Sequence, residues 1–307
     1  MDSVMVSILS VIFSVEFITG TLGNGFIIMV NCMDLVRRTK ISASDYMLTA
    51  LAISRIGLLW LLFTKWWTHV FYPSFFISVM TVRITYVIWT VTCHFNAWLA
   101  TCLSIFYCLK IANFSNSVFL YFKWRAKKVV SVTLLVSLIL LLLNIFQSKT
   151  HMDVWIGEYK RNMSYNFSLY EFPEFSNFLL FSNTVFTFIA FALSLTSFLL
   201  LIFSLGKHLK RMQLNARGSR DAGTTAHMKA LQSVVVFLLL YTVFFLSLLT
   251  QNLRYQSFLL FCHVTTSAFP SVHSFVLVLG NIKLKRASFL LLRRLRCGSS
   301  NAESPGS

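Results

Sequence analysis

Seven stretches of this chain, residues 6–31, 46–66, 82–110, 128–147, 178–205, 230–252 and 257–280, are long, apolar and nearly free of charge. Apolar runs beyond about 18 residues mark membrane spans, because a soluble helix needs a polar face. In hydrocarbon the backbone must satisfy its own hydrogen bonds, so each run is expected to be a helix. The fold class that follows is an all-α membrane protein, a seven-transmembrane helix bundle. One domain covers 1–307, with 281–307 as a cytoplasmic tail. The polar stretches between runs reach only about 20–30 residues, too short for a core of their own. Charged residues make up 12% of the chain, against about 25% in a soluble domain. A soluble globular enzyme is excluded.

The chain carries 27 Lys and Arg against 10 Asp and Glu. An excess of that size also suits nucleic-acid binding, but its placement points to membrane orientation. Basic residues crowd the first, third and fifth connections and the tail, from Arg37, Arg38 and Lys40 to Arg293, Arg294 and Arg296. The others are Lys65, Arg83, Lys149, Lys160, Arg161 and Arg254, with Arg55 inside the second span. Positive residues stay on the cytoplasmic side, so seven spans put the N-terminus outside and the C-terminus inside. Met1-Asp2-Ser3 lacks the basic leading region of a secretory signal, and the first span is expected to direct its own insertion. The sequons Asn162-Met-Ser164 and Asn166-Phe-Ser168 both fall in the long fourth connection, on the extracellular side. They are candidate glycosylation sites. Asn113-Phe-Ser115 falls on the cytoplasmic side and should stay unmodified.

The six cysteines form no CxxC pair and no zinc spacing, and most lie inside apolar runs as small buried thiols. No metal or cofactor is expected. HExxH, GxSxG and P-loop patterns are absent, as are a filter of the TVGYG type and a clear internal repeat. Cys297 follows Arg293-Arg294-Leu-Arg296; it is either a palmitoylation site beside a basic anchor or an unmodified tail cysteine.

Polar residues inside spans are costly and therefore informative. Glu16 and Arg55 are the clearest, and Arg55 is within reach of Asn24 or backbone carbonyls. Two readings stay open: a hub that changes partners on activation, or a static clamp. Trp89, Cys93, Asn96 and Ala100 recur at helical spacing on one face of the third span. That stripe suits a pocket for an amphiphilic ligand, or ordinary packing between helices. Pro270 removes a backbone hydrogen bond in the last span, with Ser267, Ser271, His273 and Ser274 nearby to re-satisfy the freed groups. Such a helix suits movable inner ends and also occurs in rigid membrane proteins.

Several runs resemble the bitter taste receptor family (taste receptor type 2). They are Gly23-Asn-Gly-Phe26, Leu51-Ala-Ile-Ser-Arg55, Trp98-Leu-Ala-Thr-Cys-Leu-Ser-Ile-Phe-Tyr-Cys-Leu-Lys-Ile-Ala-Asn-Phe-Ser115, Ser204-Leu-Gly-Lys-His-Leu-Lys-Arg-Met-Gln213 and Pro270-Ser-Val-His-Ser-Phe-Val-Leu-Val-Leu-Gly-Asn-Ile-Lys-Leu-Lys285. They follow the family's order over nearly the whole chain. Features of rhodopsin-like receptors are missing: Arg55 replaces an acidic residue, Tyr107-Cys-Leu-Lys110 a DRY-like triplet, and His273-Ser274 an NPxxY run. The fourth connection also contains no cysteine.

The resemblance implies a G-protein-coupled receptor for bitter small molecules, working through gustducin-type heterotrimers at the plasma membrane. The agonist would enter from outside, with Trp89 as an aromatic wall and Cys93 and His94 one turn deeper. Asn96 shares their stripe, and His263, Thr266, Ser247 and Gln251 complete the candidate contacts. Tyr107, Lys110, His208 and Lys229 would line the cleft for the G protein. Their charges equally suit insertion topology and anionic membrane lipids. Two departures make the pocket less polar: Cys93 stands where many relatives have Asn, and Phe244 where a Tyr is frequent. The rival readings are a pheromone receptor of the vomeronasal type 1 family and, from another class, a small multi-span transporter. Homo- or hetero-oligomer formation is left open, and no nucleic-acid partner is expected.

Overall fold

The computed structural model describes residues 3–37, 42–71, 79–161, 172–215, 222–250 and 256–302. Seven of its helices are long and apolar enough to cross a bilayer. They are α1 (Ser3–Val36), α2 (Ala43–Phe71), α3 (Val79–Ile111), α5 (Ala126–Arg161), α6 (Phe172–Asn215), α7 (Ala222–Thr250) and α8 (Gln256–Gly280). Two further helices accompany them, α4 (Ser117–Trp124) after α3 and α9 (Ile282–Ala302) after α8.

The seven long helices close into a bundle. Helix α1 packs on α2 and α8, α2 on α3, α6 on α7 and α7 on α8, while α3 touches α2, α5 and α6 together. Helix α3 is accordingly the core element: most of its span is buried, whereas most of α1 is not. Elsewhere the outward faces are greasy. Val11, Val15, Ile18 and Leu22 of α1, and Leu135, Leu142 and Phe146 of α5, are all exposed. A soluble protein carrying such a surface would aggregate; here it is the face that lipid covers.

The α1–α8 seam shows why small residues matter where no water drives helices together. A Cβ on Gly20 would collide with the Ser271 hydroxyl and lie 2.8 Å from Leu59 Cδ1. One on Gly23 would meet the Ser274 side chain. The close approach lets Ser271 Oγ donate to the Glu16 carbonyl at 2.8 Å, Ser267 Oγ to Glu16 Oε2 at 2.5 Å, and Asn24 Nδ2 to the Pro270 carbonyl at 3.0 Å. Glu16 is thus satisfied by α8. Pro270 lies within one continuous helix, and Ser267 and Ser274 donate to the Val264 and Ser271 carbonyls of that helix.

Several boundaries differ from the sequence expectation. Helix α5 runs on to Arg161 and α6 to Asn215, because a helix does not end where hydropathy falls on leaving the lipid. The third connection contains α4, started by Asn116, whose side chain accepts from the Val118 and Phe119 amides. Residues 281–307, expected only as a tail, form α9 as far as Ala302. Asn281 Oδ1 caps that helix by accepting from the Lys283 amide at 2.9 Å and the Leu284 amide at 3.4 Å. Lys283 Nζ then reaches Asp34 at 2.6 Å, Asn31 Oδ1 at 2.8 Å and Asp45 at 3.5 Å. This polar knot fastens α9 to α1 and α2 and marks the basic end of the bundle.

Candidate ligand-binding site

The stripe on α3 is one buried face. Trp89, Cys93, Asn96 and Ala100 are all at most 2% exposed. Their spacing places them one above another along the helix side that faces the bundle interior. Two of them hold polar atoms with no hydrogen-bond partner among the described residues: Trp89 Nε1, and both Nδ2 and Oδ1 of Asn96. Buried polar atoms are nearly always paired; Thr90, His94, Trp98 and Arg55 also keep unpaired atoms among the described residues, so the stripe is one of several places where polar contacts are still to be made. Lys65 of α2 extends across to this face, its Nζ lying 4.0 Å from the centre of the Trp89 ring.

The other candidate contacts divide. His94 is buried but turned away toward α5, where the Ser137 backbone is its hydrogen-bond partner and Trp98 lies 5.8 Å from its ring. Ser247 on α7 is buried and donates to the Val243 carbonyl at 2.7 Å. Thr266 on α8 is fully buried, and His263, one turn nearer that helix's start, is half-buried. Phe244 is fully buried and stacks on Tyr241, with Phe269 5.3 Å away. Gln251, Asn162 and Asn166 lie outside the described residues, as do the side chains of Lys229 and Cys297.

Below the stripe lies a waist built on Arg55. Its side chain is fully buried. One guanidinium nitrogen donates to His273 Nδ1, and Arg55 Cζ lies 4.9 Å from the Phe269 ring centre. Asn24, one of the partners left open for Arg55, bonds the Pro270 carbonyl, so α1 and α2 both lean on α8. The His273 ring lies 4.3 Å from Phe237, and Phe237, Tyr241 and Phe244 of α7 continue the aromatic layer with Phe269. Tyr241 Oη donates to the Ala97 carbonyl at 3.5 Å, tying α7 to α3. Thr101 Oγ1 donates to the Ala190 carbonyl at 3.0 Å and accepts from Ser194 Oγ at 2.9 Å, tying α3 to α6.

At the basic end Tyr107 packs half-buried against the core, while Lys110 and His208 are exposed. Sequence reasoning missed Lys65, Tyr241 and the Thr101–Ser194 link. Lys65 left a trace as an interruption in the second span's hydropathy. Hydroxyls that bond across helices leave none, because Ser and Thr are equally at home bonding within their own helix.

A bundle of seven spans with a largely apolar interior face suits a membrane receptor. The family model described as Taste receptor protein (TAS2R) matches residues 1–296. Taste receptor type 2 member 140 of Rattus norvegicus is 53% identical over 294 residues, covering 94% of each chain. Taste receptor type 2 member 14 of Macaca mulatta is 48% identical over 311 residues, covering 100% of this chain and 98% of that protein. The human member 14 is 47% identical over 310 residues with the same coverage. This chain belongs to the type 2, or bitter, taste receptor family. It is a G-protein-coupled receptor of the plasma membrane and not an enzyme. The match displaces the vomeronasal and transporter readings.

Proposed function

We propose that the chain detects bitter small molecules at the end of the bundle opposite α9 and signals through a gustducin-type heterotrimer at the basic end. On this reading the N-terminus is extracellular, Asn162 and Asn166 are glycosylated, and the C-terminus is cytoplasmic. The observation that carries the proposal is the α3 face. Trp89, Cys93 and Asn96 form an interior wall, largely apolar, with an indole N–H and an amide still unpartnered. Ligand sites are mostly apolar with a few placed polar groups. Ser247, Thr266, His263 and Gln251 extend the wall onto α7 and α8, whereas His94 acts through the α3–α5 contact. Agonist binding favours whichever helix arrangement it contacts better. The Arg55–His273 pair and the aromatic layer lie between that wall and the basic end, so they carry the coupling. Tyr107, Lys110, His208 and Lys229 receive the G protein.

The test is calcium release in cells carrying a taste-coupled G protein, with untransfected cells as control. Trp89→Ala should weaken agonist responses by at least about tenfold while surface expression persists. Dose–response curves unchanged across several agonists would remove Trp89 from the site. Uptake of a solute without any G-protein signal would overturn the receptor mechanism.

A further inference from the structure

We propose that Lys65 and Trp89 form an anion-selecting pair inside the ligand site, so that aromatic carboxylates bind in preference to their neutral amides and to amines. The proposal rests on the α3 face being the ligand wall, and it adds the chemical class that the wall prefers.

The starting point is the cost of the lysine. Lys65 lies in a span, within the apolar stretch Ala43–Thr68, and is half-buried. A cation there needs compensation. Lys283 shows how the same molecule supplies it, with two carboxylates and an amide oxygen around one ammonium group. Among the described residues no carboxylate comes within ion-pair distance of Lys65. Its ammonium group rests instead on the Trp89 ring, 4.0 Å from the ring centre. The ring quadrupole attracts the cation, but it accepts no conventional hydrogen bond and leaves the positive charge in place.

Trp89 provides the second observation. The residue is 2% exposed and its Nε1–H has no partner among the described residues. A tryptophan nitrogen donates and never accepts, and an ammonium group has three donors and no acceptor. The pair therefore offers donors and a positive charge on one wall. A carboxylate supplies two acceptor oxygens and the opposite charge, and its charge-assisted bonds are about twice as strong as neutral ones. A primary amide keeps one acceptor and loses the charge. An aliphatic amine is protonated at neutral pH and meets like charge. The apolar remainder of the wall favours an aromatic body behind the headgroup.

The experiment compares biphenyl-4-carboxylic acid, biphenyl-4-carboxamide and 4-phenylbenzylamine on the purified full-length receptor in detergent at neutral pH. The readout is the ligand-induced rise in thermal unfolding temperature, which follows binding whether or not a G protein responds. Wild type should bind the acid at least about tenfold more tightly than the amide, with the amine weakest. In Lys65→Met the acid and the amide should converge, while Lys65→Arg keeps the acid preference. Lys65→Met removes a charge from an apolar span, and its unliganded melting curve verifies folding. No acid preference in wild type, or the same preference in Lys65→Met, overturns the proposal. Calcium assays on the same ligands separate the two levels. An acid preference that depends on Lys65 but produces no calcium signal would leave the anion site standing and remove the receptor mechanism. A calcium signal without acid preference does the reverse.

Discussion

Arg55 and Lys65 are two cations on one helix, about three turns apart, and their surroundings could hardly differ more. Arg55 is fully buried, hydrogen-bonded to His273 and stacked near Phe269. Lys65 is half-buried and rests on the face of Trp89 beside Cys93, with no carboxylate in ion-pair distance among the described residues. At the waist Asn24 to Pro270, Tyr241 to Ala97 and Ser194 to Thr101 bond protein to protein across helices, while Arg55 Nε and Nη1 and Asn24 Oδ1 have no partner among the described residues. The wall above it leaves Trp89 Nε1 and the Asn96 amide unpartnered. A membrane bundle that needed only to stand up would treat both cations alike. Their difference fits the proposal that the waist holds the bundle and the wall meets the ligand.

The contrast breaks most visibly through His273. Replacing His273 with Ala strands a buried guanidinium, and lost hydrogen bonds to charged groups cost about 1.5–3 kcal/mol. His273→Ala should therefore lower the unliganded unfolding temperature clearly, whereas Lys65→Met should leave it unchanged or raise it. Equal losses in the two variants would mean that both cations are structural. Thermal unfolding of the purified variants, measured side by side, decides between these outcomes.

The α1–α8 seam sharpens the same contrast at a slightly smaller scale. Overpacking a tight contact costs typically about 1–3 kcal/mol. Gly20→Ala drives a methyl group into Ser271 and Leu59, while a Cβ on Gly25 meets nothing within 4 Å. Gly20→Ala should destabilise the receptor, and Gly25→Ala should be neutral or mildly stabilising through better helix propensity. Identical melting curves would show that α1 moves aside freely, and the seam would then not hold Asn24 against Pro270.

These positions also show what a sequence can reveal. Seven apolar runs were legible because hydrocarbon imposes a length and a polarity that nothing else mimics. The burial of Trp89, Cys93, Asn96 and Ala100 on one face was legible because helical periodicity is local. Partner choice was not. Asn24 and Arg55 were both evident as polar residues inside spans, yet each finds its partner on α8, more than two hundred positions away. The turning of His94 toward α5 depends on where Ser137 arrives, which no neighbour in sequence determines. Helix α9 was hidden for another reason. It is amphipathic instead of uniformly apolar, with Leu284 buried, Phe289 and Leu290 exposed, and Lys285, Arg286 and Arg293 among them. A search for spans passes over such a helix.

The smallest effect belongs to the far end of the bundle, where Arg83 of α3 pairs with Asp153 of α5 at 2.5 Å. It resembles the Lys283 knot in chemistry and differs in setting. The Arg83 and Asp153 side chains are 38% and 47% exposed, so water and salt screen their attraction. Exposed pairs contribute about 0–1 kcal/mol. Asp153→Asn should therefore shift the unfolding temperature barely, and less still at high salt. Asp34→Asn takes one carboxylate from Lys283 while Asp45 and Asn31 remain, and it should cost more because it loosens α9 from α1. If Asp153→Asn proved the more damaging of the two, the α3–α5 contact near the proposed ligand entrance would be a structural clasp. The proposed separation of a holding waist from a ligand wall would then fail at that end of the molecule.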